Sequence, residues 1–196
     1  MTEPSTDPGE PREPGEPGEP REPREPREPR LPAPTARLAF RRWSDEDMPF
    51  ARELFGDPRV TALVGGPFDE AAIIARLRFE LGNQRDHGIA YWPILLHGSR
   101  EVGCCGLKPR APARRIYELG FYLLPACWGQ GFAAEAGASV VAYAFEVLGA
   151  PALFAAHHPE NQGSKRALQK LGFRYTHDEL YPPTGLDHRS YELRRG

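Results

Sequence analysis

The stretch from Leu119 to Leu148 limits the possible folds more than any other part of the chain. Its apolar run at 119–124 predicts a buried strand. After a short break, the Gly-Gln-Gly-Phe-Ala sequence at 129–133 predicts the start of a helix over 133–148. Glycines at such a junction let the backbone bend, and the first amides of a helix lack internal partners and lie at its positive end. This arrangement predicts a site for a phosphate or pyrophosphate group.

A dinucleotide-binding loop is one interpretation of these residues, because Gly129, Gly131 and Ala134 satisfy a Gly-x-Gly-x-x-Ala pattern. That motif requires the strand to run directly into the first glycine and an acidic residue to end the next strand. Here four residues intervene, and the next predicted strand, 152–156, is followed by two histidines. The context therefore disfavours a dinucleotide enzyme, which remains the third hypothesis below.

Residues 1–36 differ from the rest of the chain. They repeat Glu-Pro-Gly and Arg-Glu-Pro triplets and contain nine acidic residues, five arginines and half of the 22 prolines. A segment with so little apolar surface cannot offset the entropy cost of folding. We predict a disordered tail over 1–36 with polyproline II bias, and one folded domain over 37–196.

The composition of the domain excludes several classes of function. The whole chain has a net charge of −2 and the tail about −4, which leaves about +2 for 37–196, so no nucleic-acid partner is expected. No apolar run is long enough to span a membrane, and the N-terminus does not resemble a cleaved signal, so a cytoplasmic protein without a membrane partner is expected. The three cysteines and the histidines lack metal-ligand spacing, and we expect buried thiols and no metal.

Periodicity and capping signals predict an α/β domain. The first half is predicted to contain a strand at 36–41, a helix starting between Ser44 and Asp47 and ending by Gly56, a turn at 57–60, a break at 65–67, and a helix capped by Asp69 and ending at Gly82-Asn83. Strands at 89–96 and 101–107, joined by a turn at 97–99, are followed by a loop at 111–114 and a strand at 116–124. The second half is predicted to contain the helix at 133–148, a strand at 152–156, a helix at 161–171, and strands at 173–177 and 188–194 around a loop at 178–187. In the second helix Arg76, Arg78 and Glu80 are expected on the solvent side.

Two segments resemble one known family. Trp128 to Ala133 resembles motif A of the GNAT acetyltransferases, with Trp128 where the wider family has Arg or Gln, and Glu135-Ala136 extends the likeness to the RimJ/RimL-type subgroup. Asn161 to Ser164, followed by Leu-Gly-Phe at 171–173, is similar to the NxxS and LGF signature of the same subgroup. The resemblance covers residues 36–193. It implies the GNAT acyl-CoA acyltransferase fold, with a central mixed, mostly antiparallel sheet whose splayed strands are flanked by helices.

The resemblance also implies a binding site for acetyl-CoA as acyl donor. It assigns the pantetheine arm to the main chain of Phe121, Tyr122 and Leu123. It assigns the pyrophosphate to the loop of Trp128, Gly129, Gln130, Gly131, Phe132 and Ala133. It further implies that Asn161 bonds the arm or the adjacent strand, that Ser164 lies near the sulfur, and that Lys165 or Arg166 reaches the adenosine 3′-phosphate. The implied reaction is direct attack of an amine on the thioester. Glu118 is then the base, acting through water, and Ser164 protonates the departing thiolate. Backbone amides of the strand steady the oxyanion.

Plainer roles remain open for the same residues. Asn161 and Ser164 are favoured at helix N-caps. Glu118 can pair with Arg114 or Arg115. Trp128 can serve packing as well as substrate contact, and a tyrosine such as Tyr175 or Tyr191 can pack or replace Ser164 as the acid. The two glycines can belong to an ordinary loop before a helix.

We therefore carry three hypotheses. The first is an N-acetyltransferase acting as monomer or homodimer on a primary amine, such as a protein N-terminal amine or a small amine (a polyamine, an antibiotic or an amino acid). The second is a non-catalytic acyl-CoA sensor, and the third is the dinucleotide enzyme. The acceptor slot is expected between the helices of 44–81, the turn at His97 and the loop 178–187.

Overall fold

The structure is a computed structural model that describes residues 30–97 and 100–196. Its strands are β1 (Leu38–Phe40), β2 (Tyr91–Leu96), β3 (Glu101–Ala111), β4 (Ile116–Leu123), β5 (Ala152–His157), β6 (Arg174–Tyr181) and β7 (Leu186–Arg194), and its helices are α1 (Met48–Phe55), α2 (Pro58–Thr61), α3 (Glu70–His87), α4 (Phe132–Glu146) and α5 (Gln162–Lys170). The strands form one sheet in the order β1-β2-β3-β4-β5-β7-β6. Among the described strands only β4 and β5 run parallel. This confirms the predicted mixed, mostly antiparallel sheet.

Helices cover both faces of the sheet. On one face Trp92 of β2 makes an edge-to-face contact with Tyr143 of α4. On the other face Tyr122 of β4 makes the same kind of contact with Phe55 of α1. Alternate residues of a strand point to opposite faces, so α4 and α1 lie on opposite sides and bury the sheet between them. Free Cys104, Cys105 and Cys127 are buried there, as predicted.

A capping box shows where the first helical segment starts, which the sequence left open between Ser44 and Asp47. The main-chain N of Ser44 donates to Asp47 Oδ2 at 2.7 Å, and Asp45–Asp47 forms a 3-10 turn that leads into α1. Pro49 then lies in the first turn of α1, where its missing N–H costs nothing. The predicted turn at 57–60 is instead mostly the short helix α2, whose N-cap Asp57 accepts from Arg59 N at 2.8 Å.

Helix α3 is longer than predicted. Asp69 caps it by accepting from Ala72 N at 2.8 Å, as expected, but it continues past Gly82-Asn83 to His87 and ends at Gly88, whose φ is 68°. Gln84 explains the extension, because its side chain bonds both the main-chain N (3.1 Å) and O (3.0 Å) of Trp43. This tertiary contact outweighs the weak helix propensity of glycine.

The predicted solvent-side position of Arg76 and Glu80 is wrong. Glu80 is fully buried, its Oε1 lies 2.6 Å from Arg76 Nη2, and its Oε2 accepts from Tyr91 N at 2.8 Å. The Arg76 guanidinium lies over the rings of Tyr91 and Tyr122, at 5.2 and 5.1 Å from their centroids. Burial opposes the positive charge, but the Glu80 carboxylate outweighs it and raises the pKa of Arg76. The pair therefore joins α3 to the sheet as a buried ion pair.

The last two strands are also longer than predicted. Most of the expected loop 178–187 is strand, and the turn is only 182–185, with Gly185 at a φ of 68°. Strand β6 is exposed over most of its length, so its sequence lacks the apolar alternation that identifies a strand. In the other predicted hairpin turn, 97–99, residues 98 and 99 lie outside the described residues.

The folded part begins before the predicted boundary at residue 37. Residues 1–29 lie outside the described part of the chain, but Leu31 packs against the core and Pro32 is buried. Ser139 Oγ of α4 donates to the carbonyl of Ala33 at 2.6 Å, and Thr35 Oγ1 donates to Glu135 Oε1 at 2.5 Å. These contacts attach the segment 31–36 to the outer face of α4.

Candidate active site

Strands β4 and β5 separate part-way along their length. They pair only at Tyr117 with Leu153 and at Glu118 with Phe154. Beyond that point β4 remains paired with β3 as far as Leu123, and β5 with β7 as far as His157. A slot therefore opens between the two strands, which confirms the predicted splay.

The main chain of β4 supplies free groups to this slot. Leu124 N donates to Val102 O at 2.9 Å, towards β3. In an antiparallel ladder the main-chain groups of alternate residues face opposite neighbours. Those of Tyr122 therefore face β3, whereas those of Phe121 and Leu123 face the slot. Two of the three residues predicted to bond the pantetheine arm thus present their main chain where an arm would lie.

The glycine loop lies at the open end of the slot. Gly129 and Gly131 have φ values of 74° and 82°, a left-handed conformation that glycine adopts readily. A Cβ on Gly129 would have no atom within 4 Å, so its backbone conformation rather than space requires glycine there. Gly131 is the N-cap of α4, and its cap has no side-chain hydrogen bond. The first amides of α4 are therefore available to an anion.

A single cavity of about 880 Å³ connects the loop, the slot and the opposite face of the sheet. The predicted site residues that line it are Glu118, Phe121, Tyr122, Leu123, Trp128, Gly129, Gly131, Phe132, Ala133, Asn161 and Ser164. Gln130 and Lys165 do not line it, whereas Arg166, the alternative to Lys165, does.

Gln130 and Arg37 shape the loop from outside the cavity. Gln130 Nε2 donates to Ala126 O at 2.9 Å, and the Gln130 carbonyl accepts from Arg37 Nη2 at 3.1 Å. Arg37 also donates from Nε to Glu135 Oε2 at 2.7 Å, and its guanidinium lies 4.5 Å from the ring centroid of Phe132. Sequence reasoning missed Arg37, because an arginine next to an edge strand carries no signal of a contact with residues 93 positions away.

Trp128 has a bonding role rather than a purely packing one. Its Nε1 donates to the carbonyl of Leu123 at 2.8 Å, while 48% of the residue surface stays exposed. The indole thus fixes the loop to the end of β4 and uses one of the main-chain acceptors that face the slot.

Asn161 is a helix cap, as one of the two interpretations held. Its Oδ1 accepts from Ser164 N at 2.9 Å, which starts α5. Ser164 is the third residue of that helix. Both residues line the cavity, so the cap places the Ser164 side chain at the edge of the slot.

Glu118 has a basic partner, but not the one considered from sequence. Its Oε1 lies 2.8 Å from Lys108 Nζ, the residue directly opposite on β3, rather than bonding Arg114 or Arg115. Only 16% of its side chain is exposed, and it lines the cavity at the last paired position of β4 and β5. An acidic oxygen is therefore present where the slot begins.

The cavity lining beside Glu118 is supported by the buried ion pair of Arg76 and Glu80. A Cβ at Gly120 of β4 would overlap the hydroxyl and ring of Tyr91, so only glycine lets that ring lie against the strand. Arg76 lies over the same ring. The pair on α3 thus supports, through Tyr91, the part of β4 that borders the slot.

The sequence model of the acetyltransferase (GNAT) domain matches residues 37–174. The chain belongs to this family. It is 32% identical over 144 residues to the uncharacterized N-acetyltransferase YoaA of Bacillus subtilis (strain 168), an alignment that covers 71% of this chain and 81% of YoaA. The GNAT family uses acetyl-CoA, and the splayed strands with an open helix N-terminus fit that donor.

Solved GNAT structures share the fold. An acetyltransferase from Agrobacterium tumefaciens str. C58 aligns with a TM-score of 0.71 at 27% identity, covering 83% of this chain and 94% of its own. A spermidine N-acetyltransferase from Vibrio cholerae in complex with CoA and spermine aligns with a TM-score of 0.68 at 15% identity, over 80% and 95% of the two chains. The second likeness, at that identity, supports the fold alone. The RimJ/RimL-type subgroup stays a prediction.

The cavity extends along the face of Glu118, and this part, called the acceptor end below, is where the acceptor slot was expected. It is lined by α2 and the turn after it (Arg59, Val60, Leu63 and Val64), by Arg110 of β3, and by the β6–β7 hairpin (Glu179, Leu180, Tyr181 and Pro182). Arg110 bonds Glu179 at 2.6 Å and lies 4.3 Å from the ring centroid of Phe154. The expected contribution of the His97 turn is wrong for His97 itself, whose Nε2 lies 2.8 Å from Thr35 O, away from the cavity lining.

Within 30–97 and 100–196 no group of three or more His, Cys, Asp or Glu residues is arranged to hold a metal ion. No helix in the same ranges is both long and apolar enough to cross a bilayer.

Proposed function

We propose that the protein transfers the acetyl group of acetyl-CoA directly to a single primary amine, and that this amine is the N-terminal α-amine of a peptide or protein, as in the RimJ/RimL-type subgroup. The observation that carries the proposal is the slot between β4 and β5, which joins the uncapped start of α4 to a carboxylate on the opposite face.

The donor half of the site is proposed as follows. The amides of Gly129, Gly131 and Ala133 hold the diphosphate through the open start of α4. The main chain of Phe121 and Leu123 holds the pantetheine arm, and Arg166 reaches the 3′-phosphate in place of Lys165. Gln130 and Trp128 keep the loop in shape through Ala126 O and Leu123 O.

The chemistry follows from the groups around the slot. Acetyl-CoA supplies a thioester that a neutral amine can attack. Glu118 accepts a proton from the acceptor ammonium through water, and Lys108 keeps the carboxylate in place. Slot-facing amides of β4 stabilise the oxyanion. Ser164, held by its bond to Asn161, donates a proton to the departing thiolate.

The charge of the acceptor end favours one amine over a polyamine. The two carboxylates that strands contribute to the cavity have a basic partner, Glu118 with Lys108 and Glu179 with Arg110. A polyamine carries two or more positive charges and needs carboxylates without such partners. An α-amine carries one charge and has a pKa near 8, so part of it is neutral without any base.

A screen with labelled acetyl-CoA tests the proposal. We expect acetylation of a hexapeptide with a free α-amine, no acetylation of the same peptide with a blocked N-terminus, and little of spermidine. Glu118→Gln should lower kcat by roughly 100-fold, the scale of general base catalysis, whereas Glu53→Gln on the exposed side of α1 should not. Acetyl-CoA binding without turnover of any amine would favour the sensor hypothesis, and preference for spermidine would refute the α-amine acceptor.

A further inference from the structure

A cluster of polar side chains beyond Glu118 has no role in the mechanism above. It consists of His158, His188 and Ser190, which are all buried and all line the cavity. Ser190 is 0% exposed, and its Oγ has no hydrogen-bond partner among the residues that the structure describes. A buried hydroxyl without a partner is costly, and here it borders open space, which indicates that a ligand completes its bonding.

The cluster lies on the same face of the sheet as Glu118. Glu118 is level with Phe154, and Ala156 is directly opposite Ser190. Residues two apart on a strand share a face, so Phe154, Ala156, Ser190 and His188 point to the side of Glu118. The rings of His157 and Tyr191 stack on the opposite face, at 5.2 Å between centroids. At about 3.3 Å per residue, Ser190 is level with a point roughly 7 Å beyond the last paired residues of β4 and β5.

The hydrogen bonds around the two histidines assign their protons. His158 Nδ1 accepts from Glu160 N at 3.2 Å, so the neutral ring carries its proton on Nε2. Thr184 Oγ1 donates to Tyr181 O at 3.2 Å and therefore accepts from His188 Nε2, at 3.1 Å. His188 Nδ1 then keeps its lone pair. Burial, with the nearby His158 and His157, lowers the pKa of His188, which favours the neutral ring.

The cluster thus offers two donors and one acceptor without net charge. The donors are Ser190 Oγ–H and His158 Nε2–H, and the acceptor is His188 Nδ1. A peptide group needs this set, because its carbonyl accepts and its N–H donates. We propose that His158, His188 and Ser190 form the subsite that binds the first peptide group of the acceptor, next to the amine that is acetylated. This inference rests on the proposed function and specifies its acceptor.

An ester-for-amide exchange in the acceptor tests the subsite. The probes are L-alanyl-L-alaninamide and the analogue in which the central N–H is replaced by oxygen, so that the donor to His188 Nδ1 is lost. We expect the amide to have a kcat/KM about 10-fold higher in the full chain, through KM, as for the loss of one hydrogen bond. His188→Ala should abolish this preference, and His177→Ala, on exposed β6, should keep it.

Ser190→Ala and His188→Gln keep the test valid if His188→Ala fails to fold. Ser190→Ala should raise KM for both probes about 10-fold while kcat and the affinity for acetyl-CoA stay the same, because the carbonyl bond is common to both. His188→Gln, whose amide can accept the N–H, should retain part of the preference. A wild type that does not distinguish the probes would overturn the subsite, and so would a His188→Ala effect confined to kcat.

A spectroscopic readout separates failure of the subsite from failure of the transferase. Long-range ¹H–¹⁵N spectra at pH 7 should show His188 with its proton on Nε2, and L-alanyl-L-alaninamide should shift its Nδ1 signal in the presence of CoA. A proton on Nδ1, or an unperturbed signal, contradicts the subsite even if acetyl transfer occurs. Absence of acetyl-CoA binding contradicts the proposed function instead.

Discussion

Replacing Gly131 by alanine tests how the glycine loop works. Gly131 has a φ of 82° at the N-cap of α4, and the nearest atom to an added Cβ is Arg37 Nη2, at 3.7 Å. The substitution therefore creates backbone strain and no steric overlap. A left-handed alanine costs about 1–2 kcal/mol, and the reduced entropy of the unfolded chain returns about 0.4–1 kcal/mol. We expect a net loss of about 1 kcal/mol, or a Tm lower by about 2–4 °C.

The effect on the donor should be larger than the effect on stability. Strain relief turns the first amides of α4 away from the diphosphate, and each lost hydrogen bond to a charged group costs about 1.5–3 kcal/mol. We expect the Kd for acetyl-CoA to rise roughly 10- to 100-fold by calorimetry. The affinity for acetyl-pantetheine, which lacks the diphosphate, should not change.

The matched control is Gly82→Ala in α3. Gly82 has helical geometry, and an added Cβ there would approach only Arg85 Nη2, at 4.0 Å. Alanine at this helix position should stabilise the protein by about 1 kcal/mol and leave the Kd unchanged. The reasoning is refuted if Gly131→Ala leaves acetyl-CoA binding intact, or if it weakens acetyl-pantetheine binding equally.

Three further predictions concern stability. Glu80→Ala should lower the free energy of unfolding in urea by about 3–5 kcal/mol, because it leaves the Arg76 charge buried without its partner; a loss below about 1 kcal/mol contradicts a buried pair. A chain starting at residue 30 should keep the Tm of the full chain, whereas one starting at 37 should melt several degrees lower, because it lacks the contacts of 31–36 with α4; equal Tm values contradict this. Burial lowers the pKa of His157, so as the pH falls below about 6.5 the unfolded chain binds the proton and the native state does not. The urea midpoint should therefore fall between pH 7 and 5, and it should fall less in His157→Gln. An equal fall in both proteins refutes this role of His157.

The parts of the fold that could be predicted from the sequence depend on local signals. Gly129 and Gly131 predicted a bend followed by a helix start, because a left-handed glycine conformation before a helix needs no distant residue. Asp69 identified a helix start through the bond that its own side chain makes three residues on. The start of α5 was predicted for the same reason, since Asn161 Oδ1 accepts from Ser164 N within one turn.

The failures involve contacts between distant parts of the chain. An Arg and a Glu four residues apart are typical of an exposed helix face. It is the aromatic rings of distant segments, such as those of Tyr91 and Tyr122, that make the interior a suitable place for Arg76 and Glu80. The second half of β6, 178–181, was predicted as loop because this strand is largely exposed and lacks apolar alternation. The cluster of His158, His188 and Ser190 exists only because β5 pairs with β7, which no spacing along the chain reveals.

Amide mapping by ¹H–¹⁵N spectroscopy tests the central claim most directly, that the start of α4 holds the diphosphate of the donor. Titration with CoA should shift the amide signals of Gly129, Gly131 and Ala133 in a saturable way, and dephospho-CoA, which keeps the diphosphate but lacks the 3′-phosphate, should shift the same three. Saturable binding that leaves these three amides unchanged, or no binding of either compound, would contradict the account.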